Sequence, residues 1–121
     1  MKINHLNLAV SEPQQAARFF EDFFGLQRVE EKGRDALIAL LDDNGCSFLL
    51  SNFEHAANVV YPRDFHIGFI QESKDQVQAT FDRLHTAGFV EKAPQAMHGN
   101  WGFYVHAPGG ILVEVSCPVD Q

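Results

Sequence analysis

Basic residues are scarce in this chain. Nine Lys and Arg stand against sixteen Asp and Glu, a formal net charge of −7. A nucleic-acid binder wants a basic stripe and an anionic lipid surface wants a polybasic cluster. The scattered Lys and Arg supply neither, so no nucleic acid and no membrane is expected as a partner. Long apolar runs are lacking as well, and none approaches the length of a membrane span. Cysteine occurs twice, at Cys46 and Cys117, without a CxxC spacing. That gives no disulfide framework, and two reduced thiols suit a cytoplasmic protein. The opening residues, MKINHLNLAVSEP, alternate and do not form the charged and apolar blocks of a signal peptide. Low-complexity tracts are absent. Phenylalanine, by contrast, is plentiful: eleven Phe in 121 residues, within a 45% hydrophobic composition, can fill the core of a single domain over 1–121 without staples.

Taken in order, the chain repeats itself. Residues 2–10 alternate, with Leu6, Leu8 and Val10 on one face and Ile3, His5, Asn7 and Ala9 on the other. Ser11 with Gln14 three residues on, and Pro13 between them, predicts a helix start. Ala16, Phe19, Phe20, Phe23 and Phe24 recur at helical spacing until Gly25. Strands are predicted near 26–32, 35–41 and 46–51, with a turn at Asp42-Asp43-Asn44-Gly45, and a connecting loop at 52–63. The order then recurs. A strand at 65–70 puts Phe65, Ile67 and Phe69 on one face and His66 on the other. Ser73 and Gln76 repeat the capping pattern, and Val77, Phe81 and Leu84 give a helical stripe closed by Ala87-Gly88. A short strand is predicted near 89–92, then a loop through Pro94, His98 and Gly99. Two last strands flank Ala107-Pro108-Gly109-Gly110. The pattern is α+β: two βαβββ units, at 1–52 and 64–118, about sixty residues apart.

Each helix is expected to pack on one face of a small curved sheet. The opposite faces then carry His5 and Asn7, His66 and Gly68, Gly102, Tyr104 and His106, and Leu112, Glu114 and Ser116. If the sheets join edge to edge, these faces line one cleft with the helices outside it. Glu114 is the costly residue, a carboxylate between Val113 and Val115 in an apolar strand. Two His and one carboxylate on such a surface suit a divalent metal with open positions. The alternative is a hydrogen-bonded set with no metal. Tyr104 faces the cleft as a proton donor to a substrate or as a wall residue. Trp101 alternates onto the core face. His55, His85 and His106 read as solvated or structural, and Cys117 has no activating neighbour.

The segments NHLNLAV at 4–10, FFGL at 23–26, FHIGF at 65–69 and GFYVHAPGGILVEV at 102–115 resemble the vicinal oxygen chelate superfamily. That group includes glyoxalase I, extradiol dioxygenases, fosfomycin-modifying thiol transferases and bleomycin-binding proteins. The resemblance spans nearly the whole chain. It implies a metal in the cleft held by His5, His66 and Glu114, with Fe(II), Mn(II), Ni(II) or Zn(II) as the divalent metal ion, and a homodimer acting on a small-molecule substrate. His98 ahead of Phe103-Tyr104, and Pro108-Gly109-Gly110 ahead of Glu114, resemble the extradiol signature, which makes His98 and Tyr104 the acid/base candidates. Aligning Gly45 with Gly110 sets Leu49 opposite Glu114, where glyoxalase I-like members carry a carboxylate. The implied function is therefore dioxygenase-like or lyase-like chemistry on an oxygen-chelating substrate. Fosfomycin-type thiol transfer and metal-free, bleomycin-type binding are the alternatives.

Overall fold

A computed structural model gives the architecture and describes residues 1–119. The chain forms two compact units, residues 1–61 with 108–110, and residues 62–107 with those from 111 onward. In the first unit the order is β1 (His5–Ala9), α1 (Pro13–Phe24), β2 (Gln27–Lys32), β3 (Leu37–Leu41) and β4 (Ser47–Ser51). In the second it is β5 (His66–Ile70), α2 (Lys74–Thr86), β6 (Gln95–Met97), β7 (Asn100–Ala107) and β8 (Ile111–Pro118). The sheets are ordered β1-β4-β3-β2 and β5-β8-β7-β6. In each, the first strand pairs parallel with the last and the remaining pairs are antiparallel. Two βαβββ units of the α+β class are thus present.

The first core lies between α1 and its sheet. Leu8, Ile38, Leu40 and Leu50 turn inward from the strands with Val10 just past β1, and Ala16, Phe19 and Phe20 meet them from the helix. Burying a side chain such as Phe20 contributes about 2–3 kcal/mol. Arg28 on β2 ties the sheet to α1 through Glu21 at 2.8 Å and Gln14 at 3.0 Å. Gly25, at φ 70°, supplies the left-handed residue that ends the helix. The helix start differs from expectation. Its N-cap is Glu12, without a side-chain cap, and Ser11 plays no such part. Pro13 at the first helical position has no N–H to satisfy and its φ is already helical, so the start stands without a cap bond.

The second core repeats the arrangement. Val77, Phe81 and Leu84 of α2 pack on Phe103, Val105, Val113 and Val115, all buried, and the Phe81 and Phe103 rings meet edge to face at 5.4 Å. Here the cap forms as expected: Ser73 accepts the Gln76 N–H at 3.2 Å, while the Gln76 side chain accepts the Glu72 N–H at 2.8 Å. The strand expected near 89–92 is not found. It lies instead at Gln95–Met97, hydrogen-bonded to the start of β7. The reason is the two-residue turn His98-Gly99. Both residues have positive φ, 43° and 83°, the geometry whose twist lets two strands fold back on each other. Trp101 is half-buried rather than core, with the Lys74 ammonium 5.4 Å from its ring centre. Among the described residues no helix is long and apolar enough to cross a membrane.

Candidate functional site

The face of the second sheet turned away from α2 is built by register. Gly68 on β5 and Tyr104 on β7 flank Glu114 on β8 as its two lateral neighbours. Gly102 flanks Ser116 one step along. Strand alternation places Glu114 and Ser116 on this face while Val113, Val115 and Cys117 fill the core. His66 opens β5 two residues before Gly68.

The contacts orient the imidazole. His66 Nδ1 lies 3.0 Å from the Asp64 carbonyl oxygen. A carbonyl only accepts, so Nδ1 carries a proton and Nε2 is the nitrogen left for other partners. That nitrogen is 3.6 Å from Glu114 Oε1. A shared proton, a bridging water or a shared cation would each satisfy this pair. Glu114 is held from its other side. Ser116 Oγ donates to Oε2 at 3.1 Å, and the Tyr104 hydroxyl donates to the same carboxylate. The carboxylate, with its side chain 17% exposed, is thus satisfied where it meets the protein and open toward His66. The His66 ring stands edge to face against Tyr104, with centres 5.5 Å apart. A Cβ added at Gly68 would touch nothing within 4 Å, so the space beside Glu114 is open. Two donor side chains, His66 and Glu114, border this space.

His5 opens β1 in the first unit, as His66 opens β5 in the second. Its Nδ1 is 2.7 Å from Asn4 Oδ1, which leaves Nε2 for another partner. The register of β1 on β4 sets Asn7 beside Leu49 and Ala9 beside Ser51. Leu49 therefore occupies in the first sheet the place of Glu114, and Ala39, its partner on β3, the place of Tyr104. Ser51 matches Ser116 but donates to Asn7 Oδ1 at 2.6 Å instead of to a carboxylate. Among the described residues no three His, Cys, Asp or Glu side chains gather into a group able to hold a metal. The structure joins His66 to Glu114, and His5 belongs to the other unit.

The second acid/base candidate, His98, lies in the β6–β7 turn and is exposed. It lines a hollow of about 460 Å³ together with Tyr104 and Lys92. His55, His85 and His106 are exposed, His85 lying 4.0 Å from Glu91. Two features escaped the sequence reading. Ser116 is the orienting donor, and its position two residues after Glu114 on the same strand face was the available signal. The hollow had no sequence signal, because it depends on where β6 lies.

The hydrogen bond to Glu114, with partial burial and the carboxylate's charge, raises the Tyr104 hydroxyl above the ordinary tyrosine range. Tyr104 is therefore a neutral donor at physiological pH. A raised value means that this bond contributes fully below the unfolded-state pKa of about 10, and is lost as pH rises through the folded-state value. In chelator-treated protein, Glu114→Gln is expected to move the Tyr104 titration down toward that ordinary value. Phenolate absorbance reads it in a Tyr61→Phe background, since burial raises Tyr61 also. An unmoved titration would remove Glu114 as the cause.

Comparison with known proteins agrees with this architecture. The family model described as the glyoxalase/bleomycin resistance protein/dioxygenase superfamily matches residues 2–115. A solved structure of a possible glyoxalase from Bacillus cereus is 38% identical, with a TM-score of 0.86 over 97% of this chain and 99% of that one. Lactoylglutathione lyase from Agrobacterium tumefaciens is similar in fold: TM-score 0.74, 19% identity, 96% of this chain and 92% of that one. So is a Glu-to-Gln mutant of the fosfomycin resistance protein FosX from Listeria monocytogenes, complexed with Mn(II) and dihydroxypropylphosphonic acid: TM-score 0.77, 16% identity, 95% of this chain and 90% of that one. No curated protein sequence matches the chain. With the model matched over almost its whole length and both βαβββ units in place, the chain belongs to the glyoxalase/bleomycin resistance protein/dioxygenase superfamily.

Proposed function

We propose that this chain is a metal-dependent small-molecule enzyme in which His66 and Glu114 hold a divalent cation. One observation carries the reading: His66 Nε2 faces Glu114 Oε1 at 3.6 Å, with the other ring nitrogen committed to a carbonyl. When bound, such a cation supplies Lewis acidity toward adjacent oxygens of a substrate. The residues of the chain do the rest. The Asp64 carbonyl fixes the imidazole tautomer, and Ser116 and Tyr104 hold the carboxylate in place. Tyr104, kept neutral, is the nearest proton donor for oxygen atoms of a substrate, and His98 stands as a second acid/base group along the same hollow. Dioxygenase-like or lyase-like chemistry on an oxygen-chelating substrate ranks first, because Leu49 removes the fourth, carboxylate donor of the glyoxalase I-like pattern. Thiol transfer of the fosfomycin-resistance type ranks second. The active species is a homodimer, which light scattering tests directly; a monomer at working concentration would remove it.

A second reading, a metal-free binding protein of the bleomycin-resistance type, is favoured by one observation. Among the described residues no three-donor metal group is assembled. Metal analysis decides between the two. Protein re-loaded with Fe(II), Mn(II), Ni(II), Zn(II) or Co(II) and then dialysed is expected to retain about one ion per chain, and the His66→Ala chain none. Absence of specific uptake of any ion would overturn the metal-dependent reading and favour the binding protein.

A further inference from the structure

We propose that the hollow beside Tyr104 takes the anionic end of a small organic molecule, and that Lys92 selects for its charge. This rests on reading the second unit's sheet face as a small-molecule site, and adds the class of molecule. The hollow is about 460 Å³, the size that holds a compact ligand and not a macromolecule. Its polar lining is Lys92, Gln95, His98 and Tyr104, and it contains no Asp or Glu. In a chain with sixteen acidic and nine basic residues, a concave surface free of carboxylates and bearing a lysine is the place where a negative group is least repelled.

Lys92 is also uncommitted. Arg28 is held by Glu21 and Glu31, Lys32 by Glu30, and Lys74 lies over Trp101. Lys92 makes no ion pair among the described residues, and its neighbour Glu91 lies 4.0 Å from His85. The apolar part of the lining, Ala96 and Met97 on β6, suits the body of the same molecule. Because Tyr104 both lines the hollow and donates to Glu114, a ligand anchored at Lys92 extends toward the His66–Glu114 pair. Recognition of charge and the reacting end are thereby separated along one strand face.

The test uses chelator-treated full-length protein and three probes of one shape: benzoate, phenylphosphonate and neutral benzyl alcohol. Backbone amide shifts of Ala93, Ala96, Met97 and Gly102, followed by NMR, locate and quantify binding. At least one anion is expected to bind about tenfold tighter than the alcohol, the scale of one charge-assisted contact. Lys92→Gln should erase that preference and Lys92→Glu reverse it. Lys92 is exposed, so both variants are expected to fold, and their unperturbed spectra away from the hollow check it. Failure of all three probes to bind, equal binding of anion and alcohol, or a preference that survives Lys92→Glu would each overturn the proposal. Phenylphosphonate above benzoate, or the reverse, supports it and assigns the anion. Anion preference without cation uptake would overturn the enzyme reading and leave this one standing, and cation uptake without anion preference would do the opposite.

Discussion

Gly102→Ala is expected to destabilise the chain by about 3 kcal/mol or more, the upper range for forcing extra atoms into a packed interior. Gly102 lies on β7 against β8, and a Cβ there would sit 2.0 Å from the Val115 carbonyl oxygen and 2.7 Å from Ser116 Cα. Both are backbone atoms of the strand that carries Glu114, so no rotamer change relieves the clash. Either β7 or β8 must shift, and with it the hydrogen-bonded ladder. The control is Gly68→Ala. Gly68 flanks Glu114 from the opposite strand, but its added Cβ would meet nothing within 4 Å. Urea midpoints of the two variants measure the contrast. A Gly102→Ala midpoint equal to wild type would mean that β7 and β8 approach less closely than described.

Glu114→Gln is expected to have the largest effect on function and almost none on the fold. The amide keeps an oxygen for the Ser116 and Tyr104 donors, and its NH2 can donate to His66 Nε2, which faces an acceptor in the wild type. Stability without cation should therefore stay within about 1 kcal/mol of wild type. Cation affinity should fall about a hundredfold or more, since replacing even an outer partner of a metal site costs 10–100-fold. The measurement is the rise in Tm on adding Mn(II) or Zn(II). In the wild type it grows with the logarithm of cation concentration, and in the variant it should vanish. A variant that keeps the full rise would remove Glu114 from the ligand set, and with it the proposed enzyme.

The sequence was informative wherever alternation or spacing speaks for itself. The βαβββ order, the β4 and β8 strands, the left-handed Gly25 and the Ser73 cap were all readable from local residue types. Alternation also placed His66 and Glu114 each on the face away from the helix, but that they meet follows from the pairing of β5 with β8, which local residue types do not announce. The short strand β6 was not readable. Its position depends on His98 adopting positive φ, which composition does not announce, and its three residues, Gln95, Ala96 and Met97, carry no strand signature. The hollow followed β6 out of reach. Trp101 was misplaced because alternation names a face but not the depth of cover over it. There α2 presents the Lys74 stem and ammonium instead of an apolar side chain.

The strand order also has a kinetic consequence. In each sheet the strand synthesised last is a central one: β8 inserts between β5 and β7, as β4 does between β1 and β3. The β5–β8 pair joins His66 to Leu112 and Gly68 to Glu114 across more than forty intervening residues, so its loop-closure entropy is met late. Until β8 docks, β5 and β7 have open edges and the pairing of His66 with Glu114 does not exist. Formation of that pair is thus an end-point of folding, and a chemical probe of the site would report the last step by which the second unit closes.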